Sequence, residues 1–259
     1  MLNKHSPIPL YYQLVEKISE QIRLGELKPG DQLPSERVLS EDYNISRMTV
    51  RQAIGYLIKA GQLVAQQGLG TFVAEPKLAY NPLHLLGFTE EMMLKGEETS
   101  SRVLEQVKVI PPVGIATELE LSPEQATVKI VRVRLSGDTP LLLETVYLPF
   151  SLCAGVETED LENQSLYTLL ETNYGLRLNR ARQTFEATIA NDYEAELFGI
   201  PKGMGMILLE GVTYTDSGQP VEHFKAIYRG DRFKLVLESR RDPLENENFV
   251  EPRMSVVMR

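Results

Sequence analysis

The stretch from Pro34 to Val73 constrains the fold most, because it holds two short helical patterns and two short strand patterns in close succession. Pro34-Ser35 opens a short helix that Ser35 can cap, with Val38, Leu39 and Tyr43 turned inward. Asn44-Ile45 turns the chain, and Ser46 caps a second helix that runs to Ala60 and ends at Gly61 as a left-handed cap. Leu63-Val64-Ala65 and Thr71-Phe72-Val73 then flank Gln66-Gln67-Gly68-Leu69-Gly70, two strands around a glycine-bearing tip. Upstream, Pro9 precedes a helix with apolar Tyr11, Leu14, Val15, Ile18 and Ile22, stopped by Gly25 and the Lys28-Pro29-Gly30-Asp31 turn. Two helices joined by a tight turn and followed by a β-ribbon predict a winged helix-turn-helix.

Winding the Ser46–Ala60 helix at about 100° per residue puts Val50, Ala53, Ile54 and Leu57 on a core face. Met48, Arg51, Gln52 and Gly55 lie opposite, with Arg47 at the edge. Long donors followed by a small residue suit a helix that enters the major groove. Arginine bridges the two acceptors of guanine, and glutamine suits adenine. Ser46 and the free amides of the first turn suit a phosphate, and Arg37 is placed to touch backbone. The competing reading of Arg47 and Arg51 is solvated charge on a helix face. Charge distribution favours DNA contact by this segment alone. The chain carries −9 overall, but its first 74 residues hold 8 Lys+Arg and 7 Asp+Glu, a balance of +1 that leaves −10 for the rest.

At 259 residues the chain is long enough for two domains, and 42% hydrophobic residues are enough to bury a core. No apolar run reaches membrane-spanning length, and Met1 to Pro7 lacks the apolar stretch of a signal peptide. Cys153 is the only cysteine, and His5, His84 and His223 are scattered, so neither a disulfide nor a metal cluster is expected. The expected home is a reducing cytoplasm, with no membrane partner and no cofactor.

Two stretches of the second half echo one another. Ala116-Thr117-Glu118-Leu119 leads through Ser122-Pro123 to Val128–Leu135, a turn at Ser136-Gly137-Asp138, and Leu141–Leu148. Ala195-Glu196-Leu197-Phe198 leads through Ile200-Pro201 to Met206–Thr213, a turn at Asp216-Ser217-Gly218, and Val221–Tyr228. Each reads as helix, proline, strand, turn, strand, which predicts one antiparallel sheet with pseudo-twofold character and helices on one side. Alternation puts Arg132 and Arg134 on one strand face with Val128 and Ile130. Two guanidiniums about 7 Å apart on such a face are costly without an anion. Either a phosphate or paired acidic side chains would resolve the cost. Gly87-Phe88-Thr89-Glu90-Glu91-Met92 and Gln164-Ser165-Leu166-Tyr167 read as helix starts, the second capped by Ser165. Glu144 and Glu222 could form a carboxylate pair for an enzyme, but alternation turns His223 away from Glu222, and no nucleophile elbow appears.

Pro34-Ser35-Glu36-Arg37, Ser46 through Ala53 and Gly68 through Val73 together resemble the DNA-binding domain of the GntR family of bacterial transcription regulators. The resemblance implies DNA contacts from Arg37, Ser46, Arg47, Thr49, Arg51, Gln52 and Gly68. It also implies a homodimer on a pseudo-palindromic double-stranded operator, with the wing in the minor groove. Gly87 through Met92, Arg132-Val133-Arg134 and Val221-Glu222-His223 through Phe233 resemble the UTRA effector domain of the HutC subfamily. Within that subfamily the chain is most similar to regulators of N-acetylglucosamine use, which implies a repressor sensing glucosamine-6-phosphate or its N-acetyl form.

The effector residues implied are Phe88, Thr89, Arg132, Arg134, Glu144, Ser165, Tyr167, Glu222 and Tyr228. Arg132, Arg134, Ser165 and the Phe88-Thr89 amides would hold phosphate, Glu144 and Glu222 would accept protons from the sugar, and Tyr167 and Tyr228 would wall the ring. Another small acid or sugar phosphate remains an alternative, as does an enzyme of the chorismate lyase-like fold that UTRA domains share. The expected layout is a winged helix-turn-helix over 7–75, a linker over 76–87, an α+β UTRA domain over 88–241 and a tail over 242–259.

Overall fold

The computed structural model describes residues 2–66 and 68–238, so the tail over 242–259 lies outside the described residues. The first unit contains α1 (Leu10–Arg23), α2 (Glu36–Asp42), α3 (Arg47–Lys59), β1 (Leu63–Gln66) and β2 (Gly70–Val73). Ser35 accepts from Val38 N at 3.3 Å and Ser46 from Thr49 N at 3.1 Å, so both short helices start on a hydroxyl cap. Leu14, Val15 and Ile18 of α1 share a buried cluster with Leu39, Val50, Ala53, Ile54, Leu57, Leu63 and Val73. Tyr11, Ile22 and Tyr43 pack at its margin. β1 and β2 pair antiparallel and form the wing.

The second unit opens with β3 (Leu78–Tyr80) and α4 (Phe88–Leu94), followed by β4 (Thr99–Val109), α5 (Val113–Glu118), β5 (Thr127–Ser136) and β6 (Thr139–Pro149). It continues through α6 (Leu166–Tyr174), β7 (Leu178–Ile189), α7 (Asp192–Phe198), β8 (Gly205–Thr215), β9 (Pro220–Arg229) and β10 (Phe233–Leu235). Six strands form one sheet in the order β4-β5-β6-β9-β8-β7, every neighbour antiparallel. The order is palindromic about the β6–β9 seam. The internal echo is therefore a strand-helix-strand-strand unit used twice, one strand longer than the pattern predicted.

The expectation that helices lie on one side is overturned. Phe88 and Met92 of α4 and Leu166, Leu169 and Leu170 of α6 pack on the face carrying Val128, Ile130, Leu142 and Val146. Ala195 and Phe198 of α7 pack with Leu143 and Ile227 on the other face. Strand alternation is the reason: Leu143 of β6 and Ile227 of β9 point to the face opposite Leu142 and Ala226 and take their own cover from α7.

The span 76–87 is more than a connector. Its apolar run Leu78-Ala79-Tyr80, set between Pro76 and Pro82, pairs in parallel with β10. The two units also meet at a bare-backbone contact. Gly61, at φ +71° after α3, lies so close to the turn between β9 and β10 that a Cβ there would come within 2.5 Å of the Asp231 carbonyl oxygen. Lys77 Nζ donates to the Gly230 carbonyl at 2.6 Å, and Arg229 holds the Asp231 carboxylate at 2.7 Å. Among the described residues no helix is long and apolar enough to cross a membrane.

Candidate functional site

The exposed face of α3 carries Arg47, Met48, Arg51 and Gln52, with Thr49 and Gly55 half-buried. Two arginines are held in place. Arg51 forks onto the Glu36 carboxylate at the start of α2 (Nε at 3.0 Å, Nη2 at 2.8 Å), and this hydrogen bond lowers the Glu36 carboxyl below its usual range. Arg37 pairs with Glu41 one turn on at 2.9 Å. Both guanidiniums are exposed and solvent screens such pairs, so a phosphate or base edge can displace them. Gly68 sits at the wing tip at φ +76°, next to exposed Leu69. Gln32, which the sequence reading did not single out, braces the wing: its Nε2 donates to Leu69 O at 2.7 Å, and its backbone bridges Phe72.

The other site is a cavity of about 60 Å³ between the sheet and the starts of α4 and α6. By the usual allotment of about 10–15 Å³ per water, it has room for several waters. All nine residues named for a ligand line it: Phe88, Thr89, Arg132, Arg134, Glu144, Ser165, Tyr167, Glu222 and Tyr228. Register explains the convergence. Arg132 on β5 faces Glu144 on β6, which faces Ala226 on β9, while Arg134 shares the next row with Tyr228. Ser165 caps α6 by accepting from Thr168 N at 3.2 Å, and Gly87 opens α4 against Tyr167, whose Cβ stands 3.3 Å from where a glycine Cβ would be.

Of the two answers to the arginine pair, the structure gives half of one. Glu144 Oε2 accepts from Arg132 Nη2 at 2.6 Å and Nε at 3.1 Å, and Arg134 Nη1 stands 3.7 Å away. Burial alone would raise the Glu144 carboxyl, but the adjacent guanidiniums hold it below its usual range. One carboxylate thus serves two guanidiniums that are 1% and 3% exposed, and Glu144 acts as their strut. Arg134 also donates to Thr89 Oγ1 at 2.5 Å and stacks over Phe88. Burial and the Arg132 charge push its guanidinium down to about 10. Arg132 Nη1 and Arg134 Nε are buried with no hydrogen-bond partner among the described residues, which is uncommon for buried polar atoms and invites an anion.

Glu222 has no such strut. Its Oε2 accepts from Thr213 Oγ1 at 2.6 Å and Tyr167 OH at 2.8 Å, and burial raises its carboxyl to about 7. His223, next in sequence, faces the other side of the sheet, with Nε2 3.5 Å from Glu118 of α5. It cannot serve as a base in the cavity. Sequence reasoning missed Thr213, which shares the cavity face of β8 with Leu209, and Glu90. The Glu90 carboxylate accepts from Gly87 N at 3.0 Å, Ser165 Oγ at 3.3 Å and Thr168 Oγ1 at 3.2 Å, tying the two helix starts together. An acid three residues after Gly87, the N3 half of a capping box without the N-cap hydroxyl, was the available signal for Glu90.

Residues 10–73 match the model for bacterial regulatory proteins of the gntR family, and residues 94–234 match the UTRA domain. The chain belongs to the GntR family. Its two-domain arrangement is of the HutC type. The HTH-type transcriptional repressor NagR of Bacillus subtilis is 40% identical over 235 residues, 91% of this chain and 96% of that protein. The mannosyl-D-glycerate transport/metabolism system repressor MngR of Escherichia coli is 30% identical over 90% of this chain and 97% of its own. Among solved structures, PhnF from Mycobacterium smegmatis aligns with a TM-score of 0.60 at 27% identity, covering 87% of this chain and 99% of that one.

Proposed function

We propose that this GntR-family protein is a DNA-binding transcriptional repressor whose grip on its operator is modulated by a small phosphorylated effector, glucosamine-6-phosphate or N-acetylglucosamine-6-phosphate. The observation that carries the effector reading is the buried Arg132–Arg134 pair, served by one carboxylate and left with two unpartnered donors beside a cavity. The repressor names of NagR and MngR support the regulatory sign, and MngR and a probable fructoselysine utilization operon repressor of Escherichia coli at 25% identity support a sugar-derived ligand. On this reading Arg47, Arg51 and Gln52 read bases, Arg37, Ser46 and Thr49 hold phosphates, and Gly68 lets the wing approach the minor groove. The working unit is a homodimer on a pseudo-palindromic site, which matches two reading helices to half-sites about 34 Å apart.

Effector binding shifts the dimer toward a state whose helices no longer match that spacing, with a coupling of about 1–3 kcal/mol, so effector and DNA weaken each other equally. Arg134→Ala is expected to abolish release of a labelled operator fragment by either sugar phosphate while leaving operator affinity near wild type. Release at an unchanged ligand concentration would overturn the clamp. Arg51→Ala is expected to weaken specific operator binding by about 1–3 kcal/mol per lost base contact at matched salt. A gel-shift titration equal to wild type would remove Arg51 from the reading face.

A further inference from the structure

We infer that Glu222 sets the specificity of the cavity: in its ionised form it selects a sugar phosphate bearing an ammonium group, and in its protonated form one bearing a neutral substituent. The inference rests on the sugar-phosphate reading above and adds to it which of two ligand chemistries is taken, and when.

The cavity contains two carboxyls in opposite situations. Glu144 is paired through Oε2 with Arg132 and Arg134, which hold it ionised, so a guest meets it as a carboxylate already serving two cations. Glu222 is 2% exposed and meets no cationic side chain within ion-pair distance among the described residues. Both its hydrogen bonds, from Thr213 of β8 and Tyr167 of α6, converge on Oε2, which leaves Oε1 for a ligand. Hydroxyl partners suit a group that changes state, because a hydroxyl rotates to donate to a carboxylate or to accept from a carboxylic acid.

The charged and titratable groups that act on Glu222 bracket it closely. Burial raises its carboxyl and the Glu144 charge on β6 adds to that rise, while the Thr213 and Tyr167 hydrogen bonds and Arg132 on β5 pull it down, with the balance at about 7. A buried carboxylate next to Oε1 gains from a ligand ammonium that offsets its charge. A carboxylic acid at the same place donates its proton to an amide carbonyl and meets an ammonium with no offsetting charge. The arginine end of the cavity treats the two ligands alike, since both carry the same phosphate.

The test is isothermal titration of the full chain with glucosamine-6-phosphate and N-acetylglucosamine-6-phosphate at about pH 6 and about pH 7.5. The ratio of the two dissociation constants is expected to move about tenfold toward the amino sugar at the higher pH. The phosphate's own titration is common to both ligands and cancels in that ratio, whereas the ammonium of the amino sugar is titrated in a ligand-only control and its charged fraction is divided out. Glu222→Gln is expected to remove the movement and to weaken the amino sugar relative to the acetylated one. Tyr167→Phe removes a donor that favours the ionised form, so the pH at which preference crosses over is expected to rise. A ratio that stays constant in the wild type, or moves equally in Glu222→Gln, overturns the inference while leaving sugar-phosphate binding intact. Failure of both ligands to bind overturns the inference and the proposed function together.

Discussion

Arg132→Ala is expected to destabilise the fold by about 3 kcal/mol, the low end of the 3–5 kcal/mol typical when one partner of a buried ion pair is removed. Its guanidinium is 1% exposed and supplies both short hydrogen bonds to Glu144, so truncation strands a carboxylate in the sheet interior. Glu144 retains 17% of its side-chain surface, and Arg134 remains 3.7 Å away, which together hold the cost at the low end. Urea unfolding near neutral pH measures it. Removing the stranded group as well, in Arg132→Ala with Glu144→Ala, is expected to restore part of the loss, so the two single effects do not add. The pH dependence has a definite sign. Because the folded-state Glu144 carboxyl lies below its unfolded value, its contribution is present above the ordinary carboxylate range and fades as pH falls through the lowered value. An Arg132→Ala protein within 1 kcal/mol of wild type would show that the pair is solvated and that the cavity is not an anion site built on buried charge.

Glu222→Gln is expected to act in the opposite direction, stabilising the protein by up to about 3 kcal/mol in mildly alkaline solution. In the folded state the Glu222 carboxyl titrates at about 7 against an ordinary 4.5, so folding is favoured while the group is protonated and penalised once it must ionise. A raised folded-state value leaves the contribution intact below the unfolded value and removes it as pH rises through the folded one. The advantage of the amide should therefore grow by about 1.4 kcal/mol per pH unit between those two values and flatten above them. Chemical denaturation of both proteins across that window gives the curve. A constant difference across the window would mean that Glu222 is ionised throughout, and the carboxyl would then need a cation that the structure does not give it.

Much of this was legible from local pattern. The winding of α3, the caps at Ser35, Ser46 and Ser165, and the left-handed Gly61 depend on neighbours within a turn or two, and the structure places each as the pattern requires. Alternation put Arg132 and Arg134 on one face, and both are buried there. What stayed hidden depends on partners distant in sequence. That Glu144 stands opposite Arg132 follows from the β5–β6 register, which is set by the whole hairpin. β3 is three residues long and pairs only with a strand at the far end of the second unit, so no short-range signal marks it. Glu90 looked like an ordinary first-turn acid, because the hydroxyls that complete its role belong to another helix.

The seat of Gly61 on Asp231 has a mechanical corollary. Tyr228 lines the cavity, and three residues later the same chain rests, main chain on main chain, against the end of the helix that bears Arg47 and Arg51. Side chains soak up small displacements by changing rotamer, whereas two stacked backbones have no such slack. A methyl group at position 61 would therefore have to push the Asp231 main chain aside, and with it the turn that follows Tyr228.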